Sequence, residues 1–580
     1  MNTNTYYFSP YEKWTLSFSA VIPENKEKEL LLKAKENGKT TIEFYINNCL
    51  LTVKLKTYEK DAPLLLSAAL DKQYNDIRLI WYGYRVELWI NETLLDEEWP
   101  IGSCFHSSEA TAEAFTNNVT NFSYSNNVLP ETEDSFPLKN AQYWAPKQNV
   151  INAGDCMPFF DGKLFHVYYL KDRKGHQSKW GLGAHQFAHI SSADLQEWTI
   201  HPNAVSITHQ WEGSICTGSI IKANELYYAF YAVRMSDGTS AKVSWATSGD
   251  SIHFTKSENY FNLHFPYEST SVRDPEVFLG EDGQYHMLLT TSWQNTDPEE
   301  RNGCLAHLVS KDLENWQELS PFSIPGYTDQ PECCNYFYWN GWYYLIFSNY
   351  GTAKYRYSEK PFGPWKKPKN EIIGSCLYRV PKTAAFHDNR RIAVGFLTKA
   401  IDGHSYAGNL IFRELIQHPN GTLGSKFIPE MISIGTEKQY IQVMNDSISS
   451  YQQESYKSFS GTFNFSSIIS AEHELTTYGF TLEFDSGVSY EIRSEPFNQK
   501  LIVCPLHSNP LIEDSNFTLY NMEGLDKTGN IHIVFNHGIL DICVNESRTL
   551  ICRLKDSEKA QKCKVGCFAK DGNAFFDIIY

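Results

Sequence analysis

The sequence predicts an all-β protein, a five-bladed β-propeller flanked by N-terminal and C-terminal β-sandwich domains. Three observations carry this. Aromatic residues make up 14% of the 580-residue chain, an excess that suits pleated sheets. A turn followed by an aromatic-rich strand recurs five times through the middle of the chain. A second motif follows most copies in fixed order, and a period of this length with several short strands per unit marks propeller blades.

The elements follow in chain order. Residues 1–130 read as a sandwich, lectin-like or a packing module, and include Val86-Glu-Leu-Trp-Ile-Asn-Glu-Thr-Leu-Leu95, a strand-turn-strand with alternating burial. The polar stretch Pro130-Glu-Thr-Glu-Asp-Ser135 predicts a linker over residues 131–139. The propeller is expected over residues 140–425. Its turn motif reads Asp161-Gly-Lys-Leu-Phe-His-Val-Tyr-Tyr169, Asn224-Glu-Leu-Tyr-Tyr-Ala-Phe-Tyr231, Asp282-Gly-Gln-Tyr-His-Met-Leu-Leu289 and Asn340-Gly-Trp-Tyr-Tyr-Leu-Ile-Phe347, with a looser Asp388-Asn-Arg-Arg-Ile-Ala-Val-Gly-Phe396. Asx-Gly between apolar strands favours a hairpin because both turn residues tolerate positive φ. The turns lie 63, 58, 58 and 48 residues apart, so five copies mean five blades. The second motif is Ser192-Ala-Asp-Leu-Gln-Glu-Trp198 and Ser310-Lys-Asp-Leu-Glu-Asn-Trp316, with looser versions from Ser248 to Phe254 and from Ser358 to Trp365. Residues 426–580 read as a second sandwich, whose hairpin turn at Asn545 resembles the one at Asn91.

A formal charge of −17 without a Lys/Arg block argues against nucleic acid and anionic membrane as partners. No apolar run approaches bilayer length, and Met1–Ser9 lacks the form of a secretion signal. Thirteen cysteines, an odd number with Cys333 and Cys334 adjacent, read as reduced thiols in a cytoplasmic protein. No C-x-x-C pair or His/Cys cluster points to zinc, and no closely spaced acids form a calcium loop. No metal or cofactor is expected.

The chemistry is placed by the blades. Asp155, in Gly154-Asp-Cys-Met-Pro-Phe159, lies six residues before the first turn. Asp274, in Arg273-Asp-Pro275, and Glu332, in Pro331-Glu-Cys-Cys334, lie eight before the third and fourth. The start of each innermost strand lies at one mouth of the central channel, so matching positions converge there. Glycosidic bond cleavage needs an acid to protonate the leaving oxygen and a carboxylate at the oxocarbenium-like centre. Three acids meeting at one mouth have their pKa values split by mutual repulsion, as acid/base work requires. Each Asp taken alone also reads as a turn cap before Pro or Gly.

The order Gly-Asp-x-x-Pro, Arg-Asp-Pro, Glu-Cys resembles glycoside hydrolase family 32, the invertase, levanase and inulinase group. Ala188-His-Ile-Ser-Ser-Ala-Asp-Leu-Gln-Glu-Trp198, Cys216-Thr-Gly-Ser219 and Arg413-Glu-Leu415 add to the resemblance, which covers roughly residues 140–430. It implies a retaining glycosidase acting on terminal β-fructofuranosides of an oligosaccharide. Asp155 would be nucleophile, Glu332 general acid/base, and Asp274 the partner of sugar hydroxyls, with Arg273 beside it. A retaining pair stands about 5–5.5 Å apart. Cys333 is expected to pack on Glu332 and raise its pKa.

This chain departs from the family where the sugar is held. Gly154, Cys156 and Met157 flank Asp155, Leu170 and Lys171-Asp-Arg173 follow the first strand, Phe187 replaces a Trp, and Cys216-Thr217 replaces Phe-Ser. Phe187 and Thr217 are therefore candidate substrate contacts. The polar insertion Lys171–Trp180 reads either as a solvated loop or as a holder of Trp180 as a sugar platform. Trp211 reads as pocket rim or core. His166, His286 and His307 read as core. Trp81 or Trp89 could bind carbohydrate, although packing or homo-oligomer formation through a sandwich is the alternative. Other activities left open are a related furanosidase, an inverting arabinosidase- or xylosidase-like propeller, a fructosyl transferase and a non-catalytic sugar-binding propeller.

Overall fold

The computed structural model describes residues 4–580 except 11, 22–27, 71–73, 108, 129–133, 147–150, 295–301, 401–404, 446–449, 507, 509–513 and 523–527. Nearly all regular structure is antiparallel strand.

The N-terminal region forms two facing sheets, of six and five strands. Strands such as Leu64–Ala69 alternate buried and exposed residues, as a sheet with one face on a core requires. Trp14, Phe18, Phe44, Leu66, Leu79 and Leu88 fill the space between the sheets. Trp81 is buried and stacks on Trp14, so it is core. Trp89 donates to Glu87 and lies over Arg78.

Five blades follow. Their innermost strands are Ile151–Phe160, Glu212–Ala223, Arg273–Leu279, Glu332–Trp339 and Arg379–Phe386. Each pairs with the next strand through a turn at one of the five repeats. Positive φ at Gly162, Asn224, Gly283, Asn340 and Asp388 explains why Asx and Gly recur there. The second motif turns the third strand outward. Asp194 Oδ1 accepts from the amides of Gln196 and Glu197, Asp312 Oδ1 from those of Glu314 and Asn315, and the Trp198 and Trp316 indoles donate to the carbonyls of Leu195 and Leu313. A bridge between Ala153 and Gly408 joins blade one to blade five.

One boundary differs from the expectation. Pro130–Glu133 lies outside the described residues, but Phe136–Lys139 is not linker. It is a strand paired with Glu197–Ile200 that covers the outer edge of blade one. Leu138 is buried against Trp198, and four residues are too few for a periodic signal.

The C-terminal region forms two six-stranded sheets. Its Asn545 turn repeats the Asn91 turn closely. In each, two consecutive residues have positive φ, and the Asn side chain accepts from a backbone amide of the neighbouring strand, at Asn530 or Asp76. One apolar core runs from blades four and five into this sandwich. Arg413 donates twice to Asp541 (2.6 and 2.7 Å), and both side chains are fully buried.

Candidate active site

The innermost strands all carry a β-bulge at the same mouth of the propeller. Register breaks fall between Ala153 and Cys156, Cys216 and Gly218, Arg273 and Glu276, Glu332 and Asn335, and Arg379 and Lys382. A bulge leaves residues unpaired and re-aims their side chains. Asp274, Cys333 and Val380, each first in its bulge, have φ of 57°, 50° and 50°. The register corrects one expectation. The three acids do not share one blade position: Glu332 pairs just before its bulge, Asp274 is first within its bulge, and Asp155 is second within its own. They converge nonetheless, lining one cleft of about 1050 Å³ with Arg273, Thr217 and Cys333.

Asp155 is 8% exposed. Its Oδ2 accepts from the Thr217 hydroxyl (2.5 Å) and the Cys333 thiol (3.4 Å), while Oδ1 has no hydrogen-bond partner among the described residues. Burial pushes its carboxyl above the ordinary range and Asp274 adds to the push, against the bonds from Thr217 and Cys333. Asp274 Oδ2 accepts from the Cys333 amide (2.9 Å) and the Thr290 hydroxyl (3.3 Å). Glu332 is half-buried. Its Oε1 accepts from Arg273 Nη2 at 3.0 Å. Desolvation raises its pKa, Arg273 opposes this, and Asp274 and Asp155 add to it.

Cys333 was expected to pack on Glu332. It instead ties the two aspartates together, with its thiol on one and its amide on the other. Thr217 holds Asp155 by the shortest bond in the group.

Three expected substrate contacts lie elsewhere. Phe187 is buried between Leu170, Met157 and Tyr231, because the second and third strands of blade one pair at Leu170 and Phe187. Trp180 packs on the N-terminal sandwich and donates to the Ala62 carbonyl (3.1 Å). Trp211 lines a separate hollow with His209, Lys242 and Tyr260. The blade histidines are structural pairs. His166 bonds His189 at 3.0 Å and His286 bonds His307 at 2.8 Å.

The cleft wall holds residues that sequence reading did not single out, namely His176, His185, Arg234, Arg379 and Tyr406. Arg379 had a signal: Arg379-Val-Pro381 repeats Arg273-Asp-Pro275 at the same bulge. The others come from loops or strand ends without repeats. His185 stacks on Tyr406 (5.0 Å) and bonds Asp172 (3.1 Å). Burial, with His185 and Arg234 adding, pushes His176 down to about 4, so it faces the cleft as a neutral imidazole. Gly154 has a steric cause. A Cβ there would lie 2.4 Å from the Tyr406 hydroxyl, so Tyr406 takes the space of a side chain before the nucleophile candidate.

Residues 143–379 match the family described as "Glycosyl hydrolases family 32 N-terminal domain". Over those residues the propeller is similar to glycosyl hydrolase family 32. A probable sucrose-6-phosphate hydrolase from Psychromonas ingrahamii is 27% identical over 179 residues, which span 30% of this chain and 30% of that protein. Among solved structures, the β-fructofuranosidase from Schwanniomyces occidentalis complexed with fructosyl-erythritol aligns at a TM-score of 0.56 with 16% identity, covering 76% of this chain and 98% of that one. Fructan 1-exohydrolase IIa from Cichorium intybus aligns at 0.58 with 14% identity, covering 76% and 96%. At these identities the likeness is one of fold, and it places this chain among propeller-plus-sandwich proteins.

Proposed function

We propose that the chain is a retaining glycosidase that removes terminal β-fructofuranosyl units from an oligosaccharide or sucrose-type substrate. The observation that carries this is one cleft with three carboxylates in three environments. Asp155 has one oxygen fixed by two donors and the other without a partner among the described residues. Asp274 has its Oδ2 held by a backbone amide and a threonine hydroxyl, and Glu332 is half-buried beside Arg273 with a raised pKa.

In this reading Asp155 Oδ1 attacks the anomeric carbon while Glu332 gives its proton to the leaving oxygen. Water then attacks the glycosyl-Asp155 ester as Glu332 takes the water's proton back. Asp274 receives sugar hydroxyls and its charge helps keep Glu332 protonated. Arg234 and Arg379, in the same cleft, favour a second reading, a sugar phosphate, the substrate named for the Psychromonas protein. A cytoplasmic location fits that reading.

The test compares sucrose, sucrose 6-phosphate and inulin- and levan-type oligosaccharides on wild type, Asp155→Asn and Glu332→Gln. Each variant should lose about 10³-fold or more in kcat. Near-normal turnover in either removes that residue from its role. NMR of the first-formed sugar should show retained configuration, and inversion would exclude a covalent intermediate.

A further inference from the structure

The segment that follows the second strand of blade one, residues 171–184, meets the N-terminal sandwich on one side and the cleft on the other. On the sandwich side stands the strand Thr93–Glu98, whose last three residues, Asp96, Glu97 and Glu98, are all buried. Three consecutive acids at an edge are ordinarily a solvated stretch. Here each meets a cation or amide of the propeller segment. Arg173 bridges Asp96 (3.2 Å) and Glu97 (2.5 Å). Lys174 bridges Asp96 (3.1 Å) and Glu98 (2.8 Å) and also donates to the Leu65 carbonyl. The Lys179 amide donates to Glu98 (3.1 Å). Burial would raise the Glu97 carboxyl, but Arg173, Lys171 and Arg85 outweigh it and hold it at about 2.

On the cleft side the same segment supplies Gly175, His176 and Gln177 to the wall. Asp172 accepts from the amides of Gly175 and His176 and from His185. His185 in turn stacks on Tyr406, whose hydroxyl lies 3.4 Å from the Asp155 amide. Local backbone preference does not hold this shape. Lys174, His176, Lys179, Trp180 and Ala184 all have φ between 48° and 70°, a region where non-glycine residues persist only when their surroundings fix them.

We propose that the N-terminal sandwich is a positioning module for the cleft, with Asp96, Glu97 and Glu98 clamping residues 173–179 so that His176 and His185 form the substrate-facing wall. This rests on the cleft being the glycosidase site, and it makes the three acids positioning residues, since none touches the cleft. Hydrogen–deuterium exchange and steady-state kinetics on the full chain test it, comparing wild type, Asp96→Asn/Glu97→Gln and Trp180→Ala.

The double variant should speed amide exchange in residues 172–185 by about tenfold or more and leave Glu332–Trp339 unchanged. It should raise KM by about tenfold, with kcat within about threefold. Trp180→Ala, which removes the bond to Ala62 and leaves every charge paired, should change both in the same direction by less, and it answers the question if the double variant does not fold. Unchanged exchange in 172–185, or acceleration spread equally through Glu332–Trp339, would overturn the proposal. If wild type hydrolyses none of the sugars, the glycosidase reading fails while the exchange arm still decides whether the sandwich holds the wall.

Discussion

At the scale of single residues, the cleft works through unequal carboxyls. Burial raises both Asp155 and Glu332, and a bell-shaped pH profile of kcat/KM should therefore have both limbs above the ordinary carboxyl range. The values belong to the interacting group rather than to either residue. Arg273 lowers Glu332, so Arg273→Gln should carry the alkaline limb upward. An alkaline limb that stays put or moves to lower pH would count against Glu332 as the acid. The sign for stability runs the other way. Carboxyls with raised folded-state pKa stabilise the fold below their unfolded values and lose that contribution as pH rises through the folded ones. The acids were legible in the sequence because ionisable residues stood at the starts of repeated strands. The wall formed by His176, His185 and Tyr406 was not, because ring contacts between two segments far apart in the chain leave no spacing to read.

At the scale of elements, repetition made the blades legible. Hairpin turns with positive φ favour Asx and Gly, so the five copies announce themselves. The bulges did not, since an extra residue changes register without changing residue type, and only pairing shows that Glu332, Asp274 and Asp155 occupy successive steps. Phe187 and Trp180 were misplaced for a related reason. Sequence shows that an aromatic is buried or exposed by pattern, but the neighbour it meets is set by strand pairing or by another domain. The Ser-x-Asp-Leu turn is testable on its own. Asp312→Ala removes the acceptor of two backbone amides and should cost about 1 kcal/mol, the usual cost of losing such a cap. The urea midpoint should fall with an unchanged denaturant slope. An unchanged midpoint would mean that water satisfies the turn equally well.

At the scale of the molecule, the three regions are joined by charge pairs that sequence reading had no means to match. Arg413 was noticed as part of a motif, and its partner Asp541 lies 128 residues further on. Because both are fully buried, Asp541→Asn strands a guanidinium in the core shared by propeller and C-terminal sandwich. The cost should be about 3–5 kcal/mol, as for other buried pairs broken on one side, and thermal unfolding should show it. A loss below about 1 kcal/mol would mean that Arg413 finds other acceptors.

The acidic strand Thr93–Glu98 has a further consequence in time. Synthesis runs from the N-terminus and domains fold as units while the chain emerges. The sandwich that carries Asp96, Glu97 and Glu98 leaves the ribosome before Arg173 and Lys174 are made. The newly made cations of blade one then meet an acidic surface that is already present, rather than being dehydrated alone. The order of the domains along the chain is thus the order in which their charges can be neutralised.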